Sequence, residues 1–137
     1  MAVRSRQFAI TFWAHGALCA TLSLLVCWAL LSPDPYAVIR TTSLGWLESL
    51  TDTLVHAGVF GVLSLLLLTF SVRIWDSPPP TVLFGLVGYC LLMELLQLFV
   101  PGRTCDPRDA IANLIGFLFG IACTKAIQTV RLRILAA

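Results

Sequence analysis

Charged side chains are scarce in this sequence. Asp, Glu, Lys and Arg make up 12% of its 137 residues, against roughly 25% in an ordinary soluble domain. Hydrophobic residues reach 58% and the mean hydropathy is +0.91. That composition excludes a conventional soluble domain and indicates a single all-α membrane domain spanning the chain. The net charge of +2 is too small to point to nucleic acid. The five cysteines do not amount to a framework: Cys19, Cys27, Cys90 and Cys123 sit inside apolar runs, where Cys behaves as a small hydrophobe, and only Cys105 lies in a polar loop. An odd, scattered set carries neither a disulfide pattern nor a metal spacing. The sequence also lacks repeats, low-complexity tracts and any cofactor motif.

What it has is long apolar runs. A spanning helix needs about 20 predominantly apolar residues, and four stretches qualify: 8–31, 53–72, 81–100 and 109–129. The first stops at Ser32-Pro33-Asp34-Pro35 and the third at Pro101-Gly102, while Pro78-Pro79-Pro80 separates the second from the third. The first run is too long for the 7–15-residue core of a signal peptide, and no small-residue cleavage site follows it. It is expected to stay in the mature protein. Basic residues set the orientation. With both termini in the cytoplasm, Arg4, Arg6, Arg73, Lys125, Arg131 and Arg133 are inside, and Arg40, Arg103 and Arg108 are outside. The acids divide the other way, with Asp76 alone inside. The spacing in 44–50 suits a short helix lying flat at the outer interface. Gly116-x-x-x-Gly120 is a small-xxx-small pattern for close helix packing, and Gly58, Gly61, Gly85 and Gly88 are candidates for the same use.

Against this apolar background the polar residues stand out, because ionisable groups in a membrane segment are costly and mark functional sites. Asp52 and His56 are four apart and share a face at the start of the second span. Glu94 and Gln97 are three apart near the end of the third, and Asp109 and Asn113 are four apart at the start of the fourth. Asp106-Pro107 reads as a helix cap followed by proline at the first helical position. Arg103 and Arg108 lie in the short loop before it. All of them fall at one end of three helices. Glu94 lies roughly 9 Å inside its helix end, at 1.5 Å per residue, and so requires a partner. Arg103 is the expected one, directly or through Gln97, with His56 also available. His15, alone in the first span, reads as a packing histidine.

These motifs resemble the VanZ-like membrane proteins. The match runs through Asp52-x-x-x-His56, Phe60-Gly61, Glu94-x-x-Gln97, Pro101-Gly102-Arg103 and Asp106-x-x-Asp109-x-x-x-Asn113-x-x-Gly116-x-x-x-Gly120, over about 45–123. Thr53 departs from it, standing where the family often has Lys. The resemblance implies a bacterial cytoplasmic-membrane protein of the cell envelope, with a link to low-level resistance to the glycopeptide teicoplanin. It assigns no reaction. Its motif positions are Asp52, His56, Glu94, Gln97, Arg103, Asp106, Asp109 and Asn113.

Three function classes remain open. An anionic cell-wall lipid or precursor would meet the planar fork of Arg103 and the N-terminus of the fourth helix, in a cavity expected between the second, third and fourth helices. An enzyme acting on a lipid-linked phosphate would use His56 as general base, or a metal held by Asp, His and Glu, although no dedicated nucleophile accompanies them. A structural or accessory protein would use the same residues as a buried network fixing helix order.

Overall fold

The computed structural model describes residues 2–38, 40–46 and 52–136. Four long helices make up the fold: α1 (Ala2–Leu30), α2 (Asp52–Trp75), α3 (Pro80–Leu96) and α4 (Pro107–Ala136), with no strand among the described residues. Four segments are long and apolar enough to cross a membrane: Ala9–Leu30 in α1, Asp52–Trp75 in α2, Pro80–Phe99, which is α3 with the 3-10 turn that follows it, and Pro107–Ala136 in α4. The expected interfacial helix at 44–50 lies largely outside the described residues.

The helix ends follow local chemistry. Pro80 occupies the first turn of α3, where a missing N–H costs nothing. Asp76 closes α2 with a φ of 60°, the left-handed position at which helices commonly end. α3 ends as an α-helix at Leu96 and tightens into a single 3-10 turn over Gln97–Phe99, short of the expected limit at Val100. α4 runs further than its apolar stretch. Its 30 residues span about 45 Å, so the last turns, with Arg131 and Arg133, extend past a hydrocarbon layer about 30 Å thick.

α2 and α4 run parallel and form the tightest pair in the bundle. Small residues allow it. A Cβ on Gly116 would overlap the Ala57 carbonyl oxygen, and one on Gly120 would stand 2.6 Å from Ser64 Cβ and 2.9 Å from Leu65 N. Gly61 lies across from the Gly116 backbone. Gly58, on α2, and Gly85 and Gly88, on α3, do not serve this purpose: a Cβ on any of them would meet nothing within 4 Å among the described residues. α2 also touches α1 and α3, and Val26, Phe60, Leu63, Leu68, Leu86, Met93 and Phe117 form the core between the helices. Large apolar side chains elsewhere, such as Leu24, Phe84, Ile111 and Phe119, point outward, as expected where the surrounding solvent is lipid.

Candidate functional site

The antiparallel order of the chain brings the end of α1, the start of α2, the end of α3 and the start of α4 to one end of the bundle. The sequence-selected residues there divide into a closed network and an open cluster.

The closed network begins at α4. Asp106 caps that helix: its Oδ1 accepts from the Arg108 N–H at 2.9 Å, and its carbonyl accepts from the Asp109 N–H at 2.9 Å. The Asp106 N–H in turn donates to Glu94 Oε1 at 2.8 Å. Glu94 is thus buried and fixed by the backbone before α4. The expected Glu94–Arg103 pair does not form, because Arg103 is turned toward α2 and the α1–α2 loop. Glu94 Oε2 lies 3.9 Å from His56 Nδ1 and, among the described residues, accepts no hydrogen bond, and the Nε2 of buried Gln97 likewise has no partner there. His56 Nδ1 is 3.0 Å from Asn113 Oδ1, and Asn113 Nδ2 donates to the Cys90 carbonyl at 3.4 Å. With the amide nitrogen on a carbonyl, the amide oxygen faces the ring, so Nδ1 carries the proton and donates. Thr53, the residue that departs from the family pattern, donates to Asp109 Oδ1 at 2.8 Å. A hydroxyl here ties α2 to the first turn of α4.

The open cluster centres on Arg103. Gly102, with φ of 80°, turns the chain so that the Arg103 N–H reaches the Val100 carbonyl. From that turn Nε donates to the Ser32 carbonyl at 3.2 Å and NH1 donates to Asp52 Oδ2 at 3.2 Å. Asp52 also accepts from the Tyr36 hydroxyl at 3.1 Å. Arg103 is held on two edges, and its NH2 has no acceptor among the described residues. Behind Tyr36, Asp34 pairs with Arg40 at 2.7 Å. Hydrogen bonding to that guanidinium holds the Asp34 carboxyl below the usual carboxylate range.

A cavity of about 220 Å³ opens beside this cluster. Asp52, His56, Tyr36 and Arg103 form its polar end, and Leu25, Val26, Trp28, Val55 and Val59 wall the rest. It lies between α1 and α2, not among α2, α3 and α4 as expected, because the Glu94–His56–Asn113 network fills that space. A groove of about 370 Å³ shares Leu25, Val26, Ala29 and Val59 with the cavity and continues along α1 and α2 past Gly58 to Leu22 and Val62. Of the eight sequence-selected residues, Asp52, His56 and Arg103 line the cavity. Glu94, Gln97, Asp109 and Asn113 are buried away from it, and Asp106 serves as the α4 cap. His56 alone belongs to both groups, and its Nε2 makes no hydrogen bond among the described residues. Tyr36 and Ser32 were not legible in the sequence as site residues, because a loop tyrosine and a main-chain carbonyl carry no motif. No group of three or more His, Cys, Asp and Glu side chains among the described residues is arranged to hold a metal.

The family model described as VanZ/LLP1 matches residues 20–128, which include the last 11 residues of α1, all of α2 and α3, the whole site, and most of α4. Comparison with curated proteins and with solved structures gives no match.

Proposed function

The chain belongs to the VanZ/LLP1 family, and we propose that this multi-pass membrane protein binds the phosphate headgroup of a lipid at the Asp52–Arg103 end of its bundle. The observation that carries this reading is the form of the α1–α2 cavity. One end presents a guanidinium anchored on two edges, with no acceptor for its third nitrogen among the described residues, and the remaining walls are apolar. An anchored arginine fork suits phosphate, and the adjoining groove suits a hydrocarbon chain. The excess of acids at this end does not oppose an anion. Glu94, Asp106 and Asp109 are directed to protein donors, and Asp52, which does line the cavity, is paired with Arg103.

The positive-inside bias supports placing both termini in the cytoplasm of a bacterial cell, with this end at the outer face of the cytoplasmic membrane. At that face an anionic cell-wall carrier of the polyprenyl-phosphate type fits the cavity, and the teicoplanin link of VanZ-like proteins agrees with it. The test is native mass spectrometry of the purified protein with polyprenyl phosphate and neutral lipids offered together. Wild type is expected to retain the phosphorylated lipid. Arg103→Lys keeps the charge, loses the fork, and is expected to lose that preference. Equal retention of neutral and phosphorylated lipids by wild type would sink the reading.

A second reading rests on the closed network. Most of the eight residues bond one another or the backbone, as they would in a device that fixes helix order. In that case Arg103→Lys leaves lipid retention unchanged, while His56→Ala and Asn113→Ala lower stability.

A further inference from the structure

The opposite end of the bundle holds a second polar pocket. It has a volume of about 170 Å³ and lies between α1, α2 and α4. Thr124, Gln128 and Arg131 contribute from α4, where spacings of four and three put them on one face. Thr69 and Arg73 contribute from α2, and His15 from α1.

Arg73 is set in place by α1. Its NH2 donates to Thr11 Oγ1 at 3.1 Å, and its NH1 reaches the Thr11 carbonyl and His15 Nδ1, each at 3.3 Å. His15 Nε2 donates to the Leu66 carbonyl at 3.1 Å, which fixes the tautomer that presents Nδ1 to Arg73. His15 is therefore more than a packing residue: it positions an arginine. Gln128 Nε2 donates to the Asp76 carbonyl at 2.9 Å and ties α4 to the end of α2. The hydroxyls of Thr69 and Thr124 donate to their own helices and have lone pairs but no proton left for a ligand. Arg73 and Arg131 are the cationic groups lining the pocket.

Three further observations bear on what enters. Val72 and Ile127 line the same pocket, and Ile127 is half exposed to the surroundings of the bundle. The ligand must therefore present an apolar part beside its charge. Trp75, half exposed, ends α2 at this side, as tryptophans do at headgroup depth, and exposed Trp13 lies about one turn inside the membrane-crossing segment of α1 that begins at Ala9. Asp76 is the only acidic residue at this end among the described residues, against Arg73, Lys125, Arg131 and Arg133 on α2 and α4. Basic pockets between membrane helices recognise anionic lipid headgroups.

We infer that this pocket binds the phosphodiester of an anionic phospholipid from the leaflet at that end, with Arg73 and Arg131 as its donors. The site is independent of the α1–α2 cavity and of its ligand. It anchors the α2–α4 pair in one leaflet while the other end stays free to exchange its own lipid.

The test is native mass spectrometry of the full chain with phosphatidylglycerol and phosphatidylcholine supplied together. Wild type is expected to favour phosphatidylglycerol. Arg131→Gln is expected to reduce that preference about fivefold, the effect of roughly one basic residue at a membrane surface. Arg133→Gln removes the same charge two residues away, outside the pocket, and is expected to change it less than twofold. Equal losses in the two variants, or no preference in wild type, would overturn the site in favour of diffuse attraction. Arg73→Lys keeps the charge but breaks the fork held by Thr11 and His15, so it is expected to weaken retention while helix content measured by circular dichroism is unchanged. Millimolar inorganic phosphate is expected not to displace the lipid. Displacement would assign the pocket to a free anion and overturn the lipid as its ligand.

Discussion

Glu94 and Asp106 join α3 to α4 through a single hydrogen bond, from the Asp106 backbone N–H to Glu94 Oε1 at 2.8 Å. The acid that is costly to bury in α3 thereby satisfies a main-chain donor that α4, capped by the Asp106 side chain, leaves unpaired. Its burial is an architectural choice as much as a chemical one. Because the bond needs an acceptor and not a charge, Glu94→Gln is expected to remain close to wild type. Glu94→Ala leaves the Asp106 N–H unpaired, at a cost of about 1–3 kcal/mol. Unfolding in detergent measures both. If Glu94→Gln proves as unstable as Glu94→Ala, then the charge on Oε2 facing His56, and not the bond to Asp106, holds this end together.

Asp52 and Arg103 couple the α3–α4 loop to α2, but half of the Asp52 side chain is exposed, so water competes for the pair. A double-mutant cycle with Asp52→Ala and Arg103→Ala is expected to give a coupling of about 0.2–1 kcal/mol, the range for exposed ion pairs. Glu94→Ala and Arg103→Ala share no bond and should be additive within about 0.5 kcal/mol. A larger coupling between Glu94 and Arg103 than between Asp52 and Arg103 would contradict this arrangement.

Two glycines of α2 and α4 provide an internal comparison. A methyl on Gly116 meets the backbone of Ala57 and Gly61, which cannot move aside, while one on Gly58 meets nothing within 4 Å. Gly116→Ala is expected to destabilise by about 1–3 kcal/mol, as overpacking does. Gly58→Ala is expected to be neutral or to stabilise by up to about 1 kcal/mol through helix propensity. Thermal unfolding of the two variants decides. Similar effects would mean that the α2–α4 seam is looser than its backbone contacts indicate.

Helix number and approximate limits were legible in the sequence, because apolar runs of about 20 residues admit few alternatives. Gly116 and Gly120 were legible as packing residues, yet Gly58, Gly85 and Gly88 look the same in sequence and face open space. Only the rotation of each helix distinguishes them. The same limit applies at the site. Spacing showed that Asp52, His56, Glu94 and Asn113 lie at one end, but not which way each side chain turns. Arg103 had two acids within reach, and the turn at Gly102 sends it to Asp52. The cavity was misplaced for a related reason. α1 carries no charged residue at that end, so nothing in its sequence marks Leu25 and Trp28 as walls, and Tyr36 enters only through the path of the loop.

Cys105 provides the test of orientation. It lies half-buried in the loop between α3 and α4, two residues from Arg103, at the same end of the bundle as the α1–α2 cavity. Cys19 and Cys90 are buried, and Cys27 and Cys123 are within the membrane-crossing segments. An impermeant maleimide should therefore report on Cys105 alone. With both termini in the cytoplasm, Cys105 faces outward and is expected to react in intact cells, and Cys105→Ser should abolish the signal. Replacing Ala136, at the far end of α4, with Cys in the Cys105→Ser background should give labelling only after the membrane is opened. The reverse pattern, with Cys105 reacting only in opened membranes and the Ala136→Cys variant reacting in intact cells, would invert the topology. It would place the Asp52–Arg103 cavity in the cytoplasmic leaflet, where a carrier lipid would have to be met from the inside.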